Sequence, residues 1–121
     1  PVLFLEHRWL HNLEGNVPEG DYRVPIGKAQ LLKEGSDVTI VSLSYMSIEA
    51  LHAVEVLEKK GISCDLIDLR TVKPIDFDLI YKSVKKTGLL VALDTGVGTN
   101  SIASEIVARV SMNLFDNLTR H

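Results

Sequence analysis

Residues 38–69 read VTIVSLSYMSIEALHAVEVLEKKGISCDLIDL, which is the pattern of a β-strand, an α-helix and a second β-strand. Val38–Leu43 is rich in β-branched residues, which favour strands. Apolar residues then recur at the i, i+3, i+4, i+7 spacing of an amphipathic helix, which Gly61 can end. Cys64–Leu69 is the next predicted strand. Two strands joined by a helix predict a parallel βαβ unit.

The same alternation continues on both sides of this unit. Three more runs predict strands: Val2–Leu5, Ala29–Leu32 and Leu89–Leu93. Two more helices are predicted after Asp76 and Asn100. The short turn between Ala29–Leu32 and Val38–Leu43 predicts an antiparallel hairpin. The fold class predicted is therefore α/β, a three-layer α/β/α sandwich with a five-stranded mixed, mostly parallel sheet that contains one antiparallel strand.

Length and charge describe one globular domain. The chain has 121 residues, of which 45% are hydrophobic and 24% are charged, and its net charge is −3. This mildly acidic balance argues against nucleic acid or an anionic membrane as a partner. With one cysteine, Cys64, the chain cannot form an internal disulfide, so we expect a reducing compartment, the cytoplasm. No apolar run approaches the roughly 20 residues of a membrane span.

Ligands of open α/β sheets bind beyond the carboxyl ends of the strands. Five candidate site residues lie in the loops that follow two predicted strands: Asp68, Arg70, Asp94, Gly96 and Gly98. Asp68 and Arg70 could bind an anion, but a structural ion pair is the favoured interpretation. The loop with Gly96 and Gly98 lacks the third glycine of a dinucleotide fingerprint, so a tight turn is favoured over a nucleotide site.

Histidines and serines supply the remaining candidates. His7 and His11 lie four residues apart, as zinc ligands do on a helix, but no third ligand is evident and we expect no metal. Ser42, Ser44 and Ser47 are close in sequence to His52. His52 falls on the polar face of the predicted helix, however, and Cys64 lies inside a strand. We therefore expect no nucleophilic catalysis.

Several longer segments resemble the C-terminal domain of the transketolase superfamily. These segments are Pro1–Arg8, Val17–Ala29, Glu34–Val41, Asp65–Thr71 with Pro74–Asp76, and Ser83–Gly88. Within that superfamily the resemblance is closest to the β subunit of thiamine-diphosphate-dependent 2-oxoacid dehydrogenases, the pyruvate and branched-chain enzymes. It covers nearly the whole chain.

The resemblance implies an α/β/α domain with a mixed five-stranded sheet. It makes residues 1–121 one transketolase C-terminal-like domain and a fragment of a longer chain, without the pyrimidine-binding domain that carries the catalytic groups. No catalytic residue is therefore assigned. Thiamine diphosphate and Mg²⁺ are expected in the intact enzyme and not on this fragment. Arg8 matches the position of a substrate-contacting arginine, so Arg8 and His7 are expected to lie beside a substrate.

By the same resemblance, the chain would be an assembly domain that supports oxidative decarboxylation by the whole enzyme and is inactive alone. The implied partners are its own pyrimidine-binding domain, an α subunit or a second copy, and lipoyl acyltransferase. Two alternatives stay open. One is the C-terminal domain of a ketol-transferring enzyme, transketolase or deoxyxylulose phosphate synthase. The other is a free-standing module that binds a small ligand at the turn of residues 96–100.

Overall fold

A computed structural model describes residues 1–3 and 5–119, which form an α/β fold. The described strands are β1 (Gln30–Lys33), β2 (Val38–Ser42), β3 (Cys64–Asp68) and β4 (Leu90–Ala92). The helices are α1 (Tyr45–Glu58), α2 (Phe77–Thr87) and α3 (Ile102–Leu114), and short 3₁₀ turns span Arg8–Leu10 and Phe115–Asn117. No helix of this described part is long and apolar enough to cross a membrane.

The strands form one mixed sheet in the order β1-β3-β2-β4. β2 pairs in parallel with both β3 and β4, and β1 pairs antiparallel with β3. The predicted hairpin is wrong, because β3 lies between β1 and β2. The connection crosses the start of β3 at Gly35, where a Cβ atom would overlap the backbone nitrogen of Cys64. Only a glycine allows the chain to cross there.

The predicted strand at Val2–Leu5 is also wrong for the residues that the structure describes. Val2, Leu3 and Leu5 lie outside any strand and are at least 90% exposed, and Phe4 lies outside the described residues. The described sheet therefore has four strands, and the fifth is not found. An apolar run becomes a strand only where a neighbour can pair with its backbone.

Helices cover both faces of the sheet. On one face, Ile40 and Leu66 pack against Val54 of α1. On the other face, Val41 and Ile67 belong to the cluster formed with α2 and α3. Neighbouring residues of one strand thus face opposite layers, as strand geometry requires. This arrangement gives the predicted α/β/α layers and leaves the strand ends as the accessible edges.

A buried polar cluster joins α2 to the strand ends near the start of β3. The side chain of Asp65 is 2% exposed and accepts hydrogen bonds from Gly35 N (2.8 Å), Lys86 Nζ (2.8 Å) and Ser83 Oγ (2.6 Å). Burial raises the pKa of Asp65, but these hydrogen bonds outweigh it and hold the pKa below 3.8. Thr39 Oγ1 extends the cluster to Ser83 at 2.7 Å. The cluster satisfies its own polar groups and fastens α2 to the sheet.

Candidate functional site

The carboxyl edge of the sheet carries the backbone strain of this fold. β2, β3 and β4 are parallel, so the loops that leave them emerge on one edge. Among the described residues, the non-glycine residues with positive φ are Ser44 (57°), Arg70 (56°) and Asn100 (65°), one in each of these loops. Such conformations cost about 1–3 kcal/mol each and concentrate at functional sites. This edge is therefore the candidate site.

Asp68 and Arg70 are both at this edge, but each is held by a different element. Ser47 Oγ donates to Asp68 Oδ1 at 3.0 Å, and Ser42 Oγ donates to Ser47 Oγ at 3.0 Å. The Arg70 guanidinium donates to Gln30 Oε1 at the start of β1. No ion pair of the described residues joins Asp68 to Arg70, so the favoured interpretation as a structural ion pair is wrong.

The loop after β4 is closed around the Asp94 carboxylate. Asp94 Oδ1 accepts from Gly96 N and Oδ2 accepts from Ile102 N, both at 2.9 Å. The Gly96 bond is the main reason that the pKa of Asp94 lies below 3.8. A carboxylate of the chain itself thus occupies the start of α3, where a nucleotide-binding loop would hold phosphate. Gly98 has open space around its Cα, so no contact requires a glycine there.

A shallow cavity of about 490 Å³ lies beside this loop. Its walls consist mainly of small side chains from β4, the loop and α3: Ala92, Gly96, Gly98, Ala103, Ser104 and Ala108. Asp94 is its charged lining residue, and both of its oxygens already accept backbone N–H groups. The cavity therefore has room for a small ligand, but its lining gives little electrostatic attraction for an anion.

His7 and Arg8 lie at the same edge, beside the start of α1. The His7 ring stacks on Tyr45 with 5.1 Å between centroids, and Trp9 meets Tyr45 edge-on at 4.9 Å. These aromatic contacts hold the 3₁₀ turn of Arg8–Leu10 against the helix. Both candidates are exposed, and no ion pair of Arg8 occurs in the described part of the chain. The Arg8 guanidinium is therefore accessible to a ligand at the carboxyl edge of the sheet.

His11 does not join His7 as a metal ligand pair on a helix. Its Nε2 lies 2.8 Å from Glu6 Oε2, and only a single 3₁₀ turn separates the two histidines. The described residues contain no group of three or more histidine, cysteine or acidic side chains arranged to hold a metal. His11 and Glu6 instead line a cavity of about 440 Å³ whose other walls are Leu5, His7, Leu10 and Ser44.

The sequence did not single out Tyr45 or Gln30, although both position candidate residues. Tyr45 holds His7, and Gln30 holds Arg70. Both contacts join segments about 40 residues apart, which periodicity cannot reveal. The one available signal for Tyr45 was its place at the start of the helix that follows the strongest predicted strand.

Comparison with known proteins identifies the family of this chain. A family model described as the transketolase C-terminal domain matches residues 27–121. This chain belongs to the transketolase C-terminal domain family. The match begins at Gly27, whose N–H donates to Thr71 Oγ1 at 3.1 Å. Residues before Gly27 also contact the matched range, because His7 and Trp9 pack on Tyr45.

Curated relatives extend the similarity over almost the whole chain. The β subunit of acetoin:2,6-dichlorophenolindophenol oxidoreductase from Cupriavidus necator is 43% identical over 118 residues, which are 98% of this chain. The β subunits of the pyruvate dehydrogenase E1 component from Cyanidium caldarium and Rickettsia bellii are 43% and 44% identical over the same length. The chain covers only 35–36% of these relatives.

A solved structure shows the same fold. It is titled "Split gene transketolase, inactive beta4 tetramer", and it matches with a TM-score of 0.74 and 34% sequence identity. The match covers 83% of this chain and 33% of that chain. Two independent comparisons therefore agree that this chain corresponds to about one third of longer, multi-subunit relatives.

Proposed function

We propose that this chain is the assembly domain of a thiamine-diphosphate-dependent 2-oxoacid dehydrogenase β subunit. The observation that supports this proposal is the 43–44% identity to named pyruvate dehydrogenase β subunits over 98% of the chain. In this proposal the domain buries apolar surface against other parts of the enzyme, which then carries out oxidative decarboxylation in the cytoplasm. The exposed apolar residues Val2 and Leu3 are surface of the kind that such contacts cover.

The cofactor of the proposed enzyme is thiamine diphosphate with Mg²⁺, which would supply the carbanion chemistry on the 2-oxoacid. A diphosphate-bound Mg²⁺ takes oxygen ligands. At the carboxyl edge, both oxygens of Asp94 accept backbone N–H groups and Asp68 Oδ1 accepts from Ser47. The described residues therefore do not fit that cofactor, and we propose that it binds to protein outside this chain.

The proposed partners are the pyrimidine-binding domain of the same protein, an α subunit or a second copy, and lipoyl acyltransferase. The solved tetrameric relative supports an oligomer for this chain. The test is reconstitution of the full-length protein with its partner subunit. We expect 2-oxoacid-dependent reduction of an artificial acceptor such as dichlorophenolindophenol. Activity with acetoin but with no 2-oxoacid would contradict the proposed substrate class.

Ketol transfer is the second candidate function. The solved transketolase relative supports it, with 34% identity over 83% of the chain. The same reconstituted protein should then convert pairs of sugar phosphates and reject 2-oxoacids. Calorimetry of the chain alone tests the binding-module alternative. We expect no heat of binding with thiamine diphosphate or with nucleotides, and micromolar affinity for either would overturn the assembly role.

Arg8 is the proposed substrate contact, with His7 beside it. Arg8 is exposed and has no ion-pair partner among the described residues, while the His7–Tyr45 stack fixes its turn. In the full-length enzyme, Arg8→Ala should raise KM for the substrate and leave kcat nearly unchanged, because Arg8 binds the distal part of the substrate and not the reacting atoms. An unchanged KM would remove Arg8 from the site.

A further inference from the structure

Ser44 lies at a sharp turn between β2 and α1. Its backbone has φ 57° and ψ −132°, which L residues rarely adopt, and α1 begins at the next residue. A strand-to-helix turn with this strain exposes the side chain above the sheet edge, which is how the hydrolases with a G-x-S-x-G motif present a nucleophilic serine. Ser44 is exposed, and its hydroxyl makes no capping hydrogen bond to the helix. The carbonyl of Ser44 accepts from Ser47 N at 3.0 Å, whereas its side chain takes no part in capping the helix.

In the tertiary structure, two histidines and a glutamate line the same cavity as this serine. Tyr45, the residue after Ser44, is the one on which His7 stacks and which Trp9 contacts edge-on. This contact holds the segment of residues 5–11 over the start of α1. As a result Ser44 shares one cavity of about 440 Å³ with Glu6, His7 and His11.

Hydrogen bonding distinguishes the two histidines. His7 Nδ1 accepts from Trp9 N at 3.4 Å, so in the neutral ring Nε2 carries the hydrogen and His7 is a donor. His11 Nε2 bonds to Glu6 Oε2 at 2.8 Å, which leaves Nδ1 as the acceptor of a neutral ring. A carboxylate on one ring nitrogen and an acceptor at the other is also found in the base of a serine–histidine–acid triad, although there the acid binds Nδ1 and Nε2 is the acceptor, the reverse of His11.

We propose that Ser44, His11 and Glu6 form a hydrolytic site for esters of short, apolar carboxylic acids. Ser44 is the nucleophile, His11 is the general base, and Glu6 orients the imidazole. Leu5 and Leu10 supply the apolar wall for the acyl group. This inference goes beyond the assembly role and does not rest on it, because every residue involved belongs to this chain.

The reaction is an acyl transfer to water. Ser44 Oγ bonds to the carbonyl carbon while its proton passes to His11 Nδ1. The Tyr45 N–H, the first of α1 and without an intrahelical partner, is the donor for the carbonyl oxygen. The C–O bond to the alcohol then breaks, and His11 returns the proton to the leaving oxygen. Water attacks the acyl-serine with His11 again as base, which releases the acid and restores Ser44.

The test uses the 121-residue chain, p-nitrophenyl butyrate and a fluorophosphonate probe. We expect hydrolysis above the rate in buffer, and peptide mass spectrometry should locate the phosphonate on Ser44. Ser44→Gly keeps the backbone conformation and removes the nucleophile, so it should lose both the label and the hydrolysis. His11→Gln should lower the rate about 100-fold, the usual contribution of a general base. Ser111 is an exposed serine on α3, so Ser111→Ala is the matched control. It should hydrolyse the ester and react with the probe as the unsubstituted chain does.

The outcomes separate this site from nonspecific imidazole chemistry. Equal hydrolysis by the original chain and Ser44→Gly, with circular dichroism showing both folded, would overturn the proposal. A phosphonate on any other serine, or on none, would also overturn it. A rate that does not respond to His11→Gln would exclude the triad.

Discussion

The two edges of the sheet use positive φ angles in opposite ways. At the amino edge, the positive φ angles before β3 and β4 belong to glycines, Gly61 and Gly88, which adopt them at little cost. At the carboxyl edge they belong to Ser44, Arg70 and Asn100, for which the conformation is costly. Glycines therefore avoid backbone strain at the amino edge, whereas three non-glycine residues keep strained backbone conformations at the carboxyl edge.

The carboxylates of the two edges show the same contrast. Asp65, near the amino edge, is 2% exposed and binds two side chains and one backbone N–H. Asp94, at the carboxyl edge, is exposed and accepts only backbone N–H groups, from Gly96 in its own loop and from Ile102 at the start of α3. We therefore expect loss of the buried Asp65 near the amino edge to lower the stability of the protein more than loss of the exposed Asp94 at the carboxyl edge.

The largest effect is expected for Asp65→Ala. The substitution leaves the Gly35 N–H and the Ser83 hydroxyl without their buried acceptor, so the free energy of unfolding should fall by about 3 kcal/mol. Urea denaturation measures the change. Glu34→Ala is the control, because Glu34 lies 4.0 Å from the same Lys86 but is exposed, and it should cost less than about 0.5 kcal/mol. Equal losses in the two variants would contradict the stabilising role of the buried hydrogen bonds of Asp65.

A pair of glycines gives the next largest effect. A Cβ at Gly35 would overlap backbone atoms of Ser63 and Cys64, whereas one at Gly98 would meet nothing within 4 Å. Gly35→Ala should therefore lower the free energy of unfolding by about 2 kcal/mol, and Gly98→Ala should change it by less than about 0.5 kcal/mol. Thermal denaturation of both variants tests this. A stable Gly35→Ala variant would show that the crossing is looser than the structure indicates.

Relief of strain at Ser44 should give a smaller effect of opposite sign. Glycine adopts the Ser44 conformation readily, so Ser44→Gly should raise the free energy of unfolding by about 1 kcal/mol. Ser36→Gly is the matched control at the amino edge. Ser36 has no positive φ, so the added chain entropy and the loss of the exposed hydrogen bond between Ser36 Oγ and Ser63 Oγ should both lower stability there. If both variants lose stability, Ser44 is not strained.

The smallest effect expected is the acid sensitivity of the two carboxylates. The folded pKa values of Asp65 and Asp94 both lie below 3.8, so the charged forms stabilise the folded state above that pH. This stability should be lost progressively as the pH falls below about 4. Urea midpoints measured from pH 6 to pH 3 should fall, and Asp94→Asn should reduce the fall only slightly, because Asp94 is solvent-exposed. A urea midpoint that rises as the pH falls would contradict the prediction that the charged carboxylates stabilise the folded state.

Local patterns were sufficient for most of the fold. The helical spacing of apolar residues predicted α1, and the Asp76 cap of α2 and its Gly88 end are present, with Asp76 accepting from Leu79 N. The helix predicted after Asp76 and the helical spacing of α1 depend on residues within a few positions of each other. The hairpin prediction failed because pairing depends on which strand lies next to β1, and the sequence around Gly35 does not state that β3 comes between.

The sequence by itself determined that this chain forms alternating strands and helices, and that its loops with polar residues emerge beyond strands. Hydrophobic periodicity, helix caps and turn residues involve only neighbouring positions in the sequence. The strands and helices could therefore be predicted without knowledge of the fold. Only the tertiary structure decided that Asp68 bonds to Ser47 and not to Arg70, and that Ser44 lines the same cavity as His11. Such partners are chosen by the packing of distant segments, which minimises the free energy of the whole chain and leaves no local trace.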